Sequence, residues 1–182
     1  LSDDLSTIVP NVAKSWTWSD DRKENTITLR KGHKWSDGEP FTTEAFRYFW
    51  EDVANNNELS PFGLPPILKV RGKSPKFEVL SETAVRYTWD EPNPQFLPAL
   101  AGPSPLYIYR PAHYLKQFHP RYIGMDKAKA QAKEAGARSW QGYHQKKDEQ
   151  FGFDNPELPT LEPWINTTAM PSTRFVFVRN PY

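Results

Sequence analysis

The 182-residue chain contains no cysteine. Disulfides, thiolate metal sites and cysteine nucleophiles are therefore excluded, and the composition is compatible with an oxidising compartment. No stretch of about 18 apolar residues occurs, so no segment reads as a membrane-spanning helix. Charge of neither sign dominates: 23 Lys and Arg face 22 Asp and Glu, a net charge of +1. That balance argues against a nucleic-acid partner. The four histidines, His33, His113, His119 and His144, form no i, i+4 pair, and no zinc site is expected. Gly-rich phosphate loops and nucleophile elbows are also missing, so neither a cofactor nor an enzyme activity is expected. The chain opens on Leu1-Ser2-Asp3-Asp4 with no Met and no signal peptide, and it stops after an apolar run at Arg179-Asn180-Pro181-Tyr182. Both ends read as cuts within a longer protein.

Aromatic rings are what the chain has in quantity: seven Trp, eight Tyr and eleven Phe. Each buries a large apolar area, so few residues suffice for a core. Eighteen prolines break the chain into short elements. Residues 12–31 read as a hairpin. Trp16 and Trp18 lie on its first arm, Ser19-Asp20-Asp21 forms its turn, and the alternating run Thr26–Arg30 is its second arm. Phe46, Phe49, Trp50 and Val53 recur at i, i+3, i+4 and i+7, one buried face of a helix over 43–54. Thr42 or Thr43 caps it, and Asn55-Asn56-Asn57 ends it. Residues 76–89 read as a second hairpin, with Val85, Tyr87 and Trp89 alternating. Phe96, Leu97 and Leu100 make a short helix. Asp126–Ala137 is helical by propensity with an apolar face of alanine only, which places it on a surface. Arg174–Val178 is a last strand. Hairpins and helices without βαβ alternation give an α+β class: a small mixed sheet with hairpins and packed helices.

Three pieces carry a family resemblance. They are Pro10-Asn11-Val12-Ala13-Lys14-Ser15-Trp16 with Ser19-Asp20-Asp21, the run Thr28-Leu29-Arg30-Lys31-Gly32-His33-Lys34-Trp35-Ser36-Asp37-Gly38-Glu39-Pro40-Phe41-Thr42, and the terminal Arg179-Asn180-Pro181-Tyr182. In this order they resemble the family 5 extracellular solute-binding proteins, which include the oligopeptide- and dipeptide-binding proteins of ABC importers. The resemblance covers residues 10–111 and, more loosely, 164–182. It thins between 119 and 160, where the chain carries an insertion. It implies part of a type II periplasmic-binding-protein-like fold: a smaller subdomain of the first lobe over 1–111, a return segment over 112–182 with a helical insertion at 119–160, and a second lobe that is absent. It also implies capture of a small solute, foremost an oligopeptide, and delivery to ABC permease subunits in the membrane. The alternatives are an oligosaccharide ligand or the solute-sensing domain of a transcription regulator. The implied location is the periplasm or the cell surface as a lipoprotein, and the implied state is a monomer.

The candidate ligand contact is Phe62, behind Ser60-Pro61 in a loop after the helix. An aromatic there either walls a ligand or plugs the loop onto its own core. In peptide-binding members an aromatic after a similar Ser-Pro contacts ligand, and Phe62 is the matching position. Trp35-Ser36-Asp37-Gly38 reads as a turn rather than a ligand site. Asp20-Asp21 and Asp37/Glu39 could suggest a glycosidase pair, but turn chemistry accounts for both. Trp16, Trp18, Trp50 and Trp89 are expected in the core; Trp140 and Trp164 are left open. The Lys127–Lys133 stretch reads as a solvated surface helix rather than a membrane or nucleic-acid element.

Overall fold

The computed structural model describes residues 2, 6–101, 106–150 and 155–182. Residues 151–154 of the insertion, and Leu1, Asp3 and Asp4, lie outside the described residues. The chain divides into two units, one of Leu1–His33 and Thr42–Tyr109, the other of Lys34–Phe41 and Arg110–Tyr182. The second unit thus takes in the Trp35-Ser36-Asp37-Gly38 turn, which the boundary at residue 111 placed with the first.

The first unit is built on four strands, β1 (Ala13–Trp18), β2 (Glu24–Leu29), β3 (Lys76–Ser81) and β4 (Ala84–Thr88), in the order β1-β2-β4-β3. The sheet, expected to be mixed, is antiparallel at every described pairing. The reason is local: two hairpins supply all four strands, and the hairpins join through β2 and β4. Register decides the faces. Asn25 stands opposite Tyr87 and Ile27 opposite Val85, and all four are buried together with Leu29. Phe77 pairs with Tyr87 on the same face. The other face is polar, and there Arg86 on β4 meets Glu78 on β3 at 3.1 Å and Glu24 on β2 at 3.8 Å.

Rings fill the space over the apolar face. Helix α1 (Glu44–Tyr48) widens into π turns over Phe49–Ala54. It sends Trp50 to stack on Phe77 at 5.3 Å and to meet Tyr87 edge-on at 5.9 Å. Helix α2 (Phe96–Ala101) sets Phe96 against Tyr87 at 5.1 Å and Trp89 at 4.8 Å. Such ring pairs add about 0.5–1.5 kcal/mol each beyond area burial. Phe46 and Phe49 are buried as the helical face requires. Trp50 is only half-buried, as are Trp16 and Trp18, whereas Trp89 is fully buried. The difference for Trp16 and Trp18 is positional: both lie on β1, at the edge of the sheet. The capping expectation divides between two threonines. Thr42 Oγ1 accepts the Glu44 N–H, while the buried Thr43 hydroxyl donates to Ser81 O at 2.8 Å and so ties α1 to the β3–β4 turn.

In the second unit the helices are α3 (Ala112–Leu115), α4 (Pro120–Ile123), α5 (Met125–Glu134) and α6 (Trp140–Lys147). A ribbon of β5 (Trp164–Asn166) and β6 (Phe177–Arg179) follows. Helix α5 is mostly exposed and buries only Ala128 and Ala132, matching its alanine face. Asp126 does not cap it; the N-cap is Gly124 at φ +83. Strand β6 begins three residues later than the Arg174 start expected from the sequence, because Ser172 Oγ holds Arg174 in a local turn. The polar stretch after 140 hides α6, which Ser139 caps by accepting the Gly142 N–H.

Candidate functional site

Phe62 lies in a turn that the sequence builds with few options. The π turns end where the Asn55 amide and side chain both donate to Trp50 O. Asn56 Oδ1 then accepts the N–H groups of Glu58 and Leu59, and Ser60 N–H donates to Asn56 O at 2.7 Å. Ser60–Gly63 is a β-turn closed by Gly63 N–H to Ser60 O at 2.8 Å, with Pro61 presetting its first central residue. Gly63 follows at φ +69, a conformation other residues adopt at a cost.

The loop is anchored from below. Leu59, Leu64 and Leu68 are buried. The buried Trp89 indole donates to Leu68 O at 2.8 Å, and Asn93 Nδ2 donates to Ile67 O at 3.2 Å. On this platform Phe62 is 96% exposed. Among the described residues the ring is left uncovered. The same loop holds one group that sequence reasoning passed over. Lys69 Nζ lies 3.8 Å from the place a Gly63 Cβ would take. No periodicity or motif marks Lys69; only the fold of the 60–69 loop brings its ammonium to Gly63.

The Trp35-Ser36-Asp37-Gly38 segment is a structural turn. Gly38 N–H closes it on Trp35 O at 2.9 Å, and Ser36 exchanges two hydrogen bonds with Thr160. Asp37 Oδ1 accepts the Glu39 N–H, and its Oδ2 meets His113 Nε2 at 2.7 Å. The other carboxylate pair is also turn chemistry. The Ser19 hydroxyl donates to Asp21 at 2.6 Å and, with the Lys23 N–H, holds that carboxyl below its ordinary range. His119 and His144, 25 positions apart in the chain, come together with ring centroids at 5.6 Å, packed with the buried Trp140. His119 Nδ1 accepts the Arg121 N–H and so caps α4. Among the described residues no group of three or more His, Cys, Asp or Glu is placed to hold a metal. Trp164 is 59% exposed on the β5–β6 ribbon. No helix among the described residues is long and apolar enough to cross a membrane.

Comparison with known proteins places this geometry. The family model of the bacterial extracellular solute-binding proteins, family 5 (middle region), matches residues 7–182. The chain belongs to this family. It is 31% identical to the periplasmic alpha-galactoside-binding protein of Rhizobium meliloti, over all of this chain and 23% of that protein. It is 35% identical to the periplasmic oligopeptide-binding protein OppA of Escherichia coli, over 52% of this chain and 20% of that protein. Among solved structures, an oligopeptide-binding protein OppA superposes with a TM-score of 0.83 at 32% identity, over 96% of this chain and 26% of its own. The periplasmic binding protein MelB of Agrobacterium fabrum C58, solved with stachyose, superposes at 0.68 with 28% identity, over 95% of this chain and 23% of that one. The chain thus spans about a quarter or less of the relatives it matches, and its fold is a fragment of the periplasmic binding protein fold.

Proposed function

We propose that this chain is part of the substrate-binding component of an ABC importer, working outside the cytoplasm as a monomer and handing its solute to membrane permease subunits. The observation that carries the reading is the family match across residues 7–182 joined to the OppA superposition. The role is capture without chemistry. The carboxylate pairs Asp20-Asp21 and Asp37/Glu39 sit in turns. Affinity comes from desolvation and hydrogen bonds in a closed cleft. The rigidly mounted, exposed Phe62 supplies an apolar wall to the solute.

The first ligand class is an oligopeptide, supported by the OppA relatives. A specific observation favours a second, an α-linked oligosaccharide: the relative that aligns over the whole chain, insertion included, binds α-galactosides. Calorimetry on the intact protein with tri- to pentapeptides and with stachyose separates the two. Micromolar peptide binding supports the first, and stachyose binding without peptide binding supports the second. Reproducible turnover of either compound would overturn the capture reading.

A further inference from the structure

The helices of the second unit close over a pair of histidines. His119 and His144 are 3% and 1% exposed, and their rings meet edge to face with centroids 5.6 Å apart. Trp140 stands edge-on to His119 at 5.4 Å, and Tyr122 meets the same ring at 5.8 Å. His119 heads α4: its backbone is extended before Pro120, and its Nδ1 accepts the Arg121 N–H at 3.2 Å. An imidazole nitrogen accepts a hydrogen bond only through its lone pair. Nδ1 therefore carries no proton while α4 is capped. The residues preferred at such a position, Ser, Thr, Asp and Asn, keep their acceptor across the neutral range. Histidine alone among uncoupled side chains gains its proton there.

The charged groups on the surrounding elements are these. The turn Lys116–Phe118 carries Lys116, whose ammonium lies over the Tyr122 ring at 5.0 Å. On α3, His113 is bonded to Asp37. Helix α4 carries Arg121. Helix α5 packs through Ala128 and Ala132, and its charged residues are all exposed. At the end of α6, Lys147 pairs with Glu157 and Asp148 with Arg110.

We propose that His119 is a pH-sensitive latch: a proton on Nδ1 releases the Arg121 N–H, uncaps α4 and loosens α4–α6 around Trp140 and His144. Two effects act together. The acceptor is lost, and a charge is placed in a buried site beside a second imidazole. Only the fold requires Nδ1 to be unprotonated. The stability that the cap confers is thus present above the ordinary imidazole range and lost as pH falls through it. The four strands of the first unit carry no histidine and should not respond. The latch does not depend on which solute the protein binds.

The test is hydrogen exchange by mass spectrometry on the intact protein at about pH 7.5 and about pH 5.5, on either side of the imidazole range, with rates corrected for intrinsic exchange. Wild type should lose protection over 119–147 by at least about tenfold on acidification, with 13–29 and 76–88 unchanged. His119→Asn keeps an acceptor for the cap but cannot titrate, so its protection over 119–147 should be the same at both pH values. His119→Ser supplies a second cap of that kind. Wild-type protection that does not change with pH overturns the latch. So does an equal acid loss in His119→Asn, which would move the responsible proton elsewhere. Absence of protection in both the Asn and the Ser variants at the higher pH also overturns it, because the ring would then hold α4 by packing and not by its cap.

Discussion

Tyr182 lies against Gly38: its hydroxyl oxygen is 2.9 Å from the place a Cβ on Gly38 would occupy, and its ring carbon Cζ is 3.3 Å away. Lys34 Nζ covers the same ring at 5.0 Å. The terminal Arg179-Asn180-Pro181-Tyr182 thus packs on the Trp35-Ser36-Asp37-Gly38 turn, so two of the three segments that mark the family are in contact. Asn180 holds the arrangement, donating to the carbonyls of Glu162 and Pro163 and accepting the Tyr182 N–H. Gly38 has φ +90 as well. Gly38→Ala should therefore cost about 1–2 kcal/mol from the backbone alone, plus the displacement of Tyr182. Tyr182→Phe in the Gly38→Ala background removes the hydroxyl and should recover part of the loss, never all of it. Urea melts of the single and double variants check this, and full recovery would show that φ contributes nothing.

The ring cluster gives a ranking. Phe96 is fully buried among Trp18, Tyr87 and Trp89. Phe96→Ala should cost about 3–5 kcal/mol by the cavity it leaves. Trp50 has one ring face on Phe77 but is half-exposed. Its truncation should cost less than that of Phe96, although its size alone would rank it first. Chemical denaturation of both variants decides the order.

Those two residues also show what the sequence makes legible. The 3.6-residue spacing of Phe46, Phe49 and Trp50 marks a helical face, but spacing cannot say which member ends at the rim. That depends on where β3 runs relative to α1, a tertiary fact. The alternation of Val85, Tyr87 and Trp89 locates β4 because the sheet has one apolar and one polar face. The helix over 140–147 lacks an apolar stripe; it is held by a Ser139 cap and by packing of Trp140 and His144, which periodicity does not register. Phe62 is legible as a loop aromatic, because Ser-Pro-Phe-Gly is turn chemistry. Lys69 is not, since only the path of the loop brings its ammonium to Gly63.

The pair Arg110–Asp148, at 2.7 Å, gives a pH dependence. Burial pushes the Asp148 carboxyl above its ordinary range, and the Arg110 guanidinium opposes this without cancelling it. A raised folded-state value means that the fold binds the proton more tightly than the unfolded chain does. The contribution to stability is therefore fully present below the ordinary carboxylate range and is lost as pH rises through the raised value. Asp148→Asn removes the titration. The stability of wild type relative to Asp148→Asn should fall on going from strongly acidic pH to neutrality. A difference that grows over that interval would mean that the ion pair outweighs burial.

Phe62 separates binding from folding. A ring that is 96% exposed on a loop anchored by Leu59, Leu64 and Leu68 contributes almost nothing to the fold. Phe62→Ala should change unfolding free energy by no more than about 0.5 kcal/mol. If the ring is a wall of the solute site, its area is buried only when the solute arrives. Burying a phenylalanine side chain fully is worth about 1.5–3 kcal/mol, and partial cover by a solute returns a share of that. Phe62→Ala in the intact protein should thus weaken solute binding by roughly tenfold, and Phe62→Tyr should restore most of it, because the ring face is kept. Unchanged affinity in Phe62→Ala, with melting curves matching wild type, would remove Phe62 from the site. A loss of affinity accompanied by a loss of stability would return the ring to a packing role.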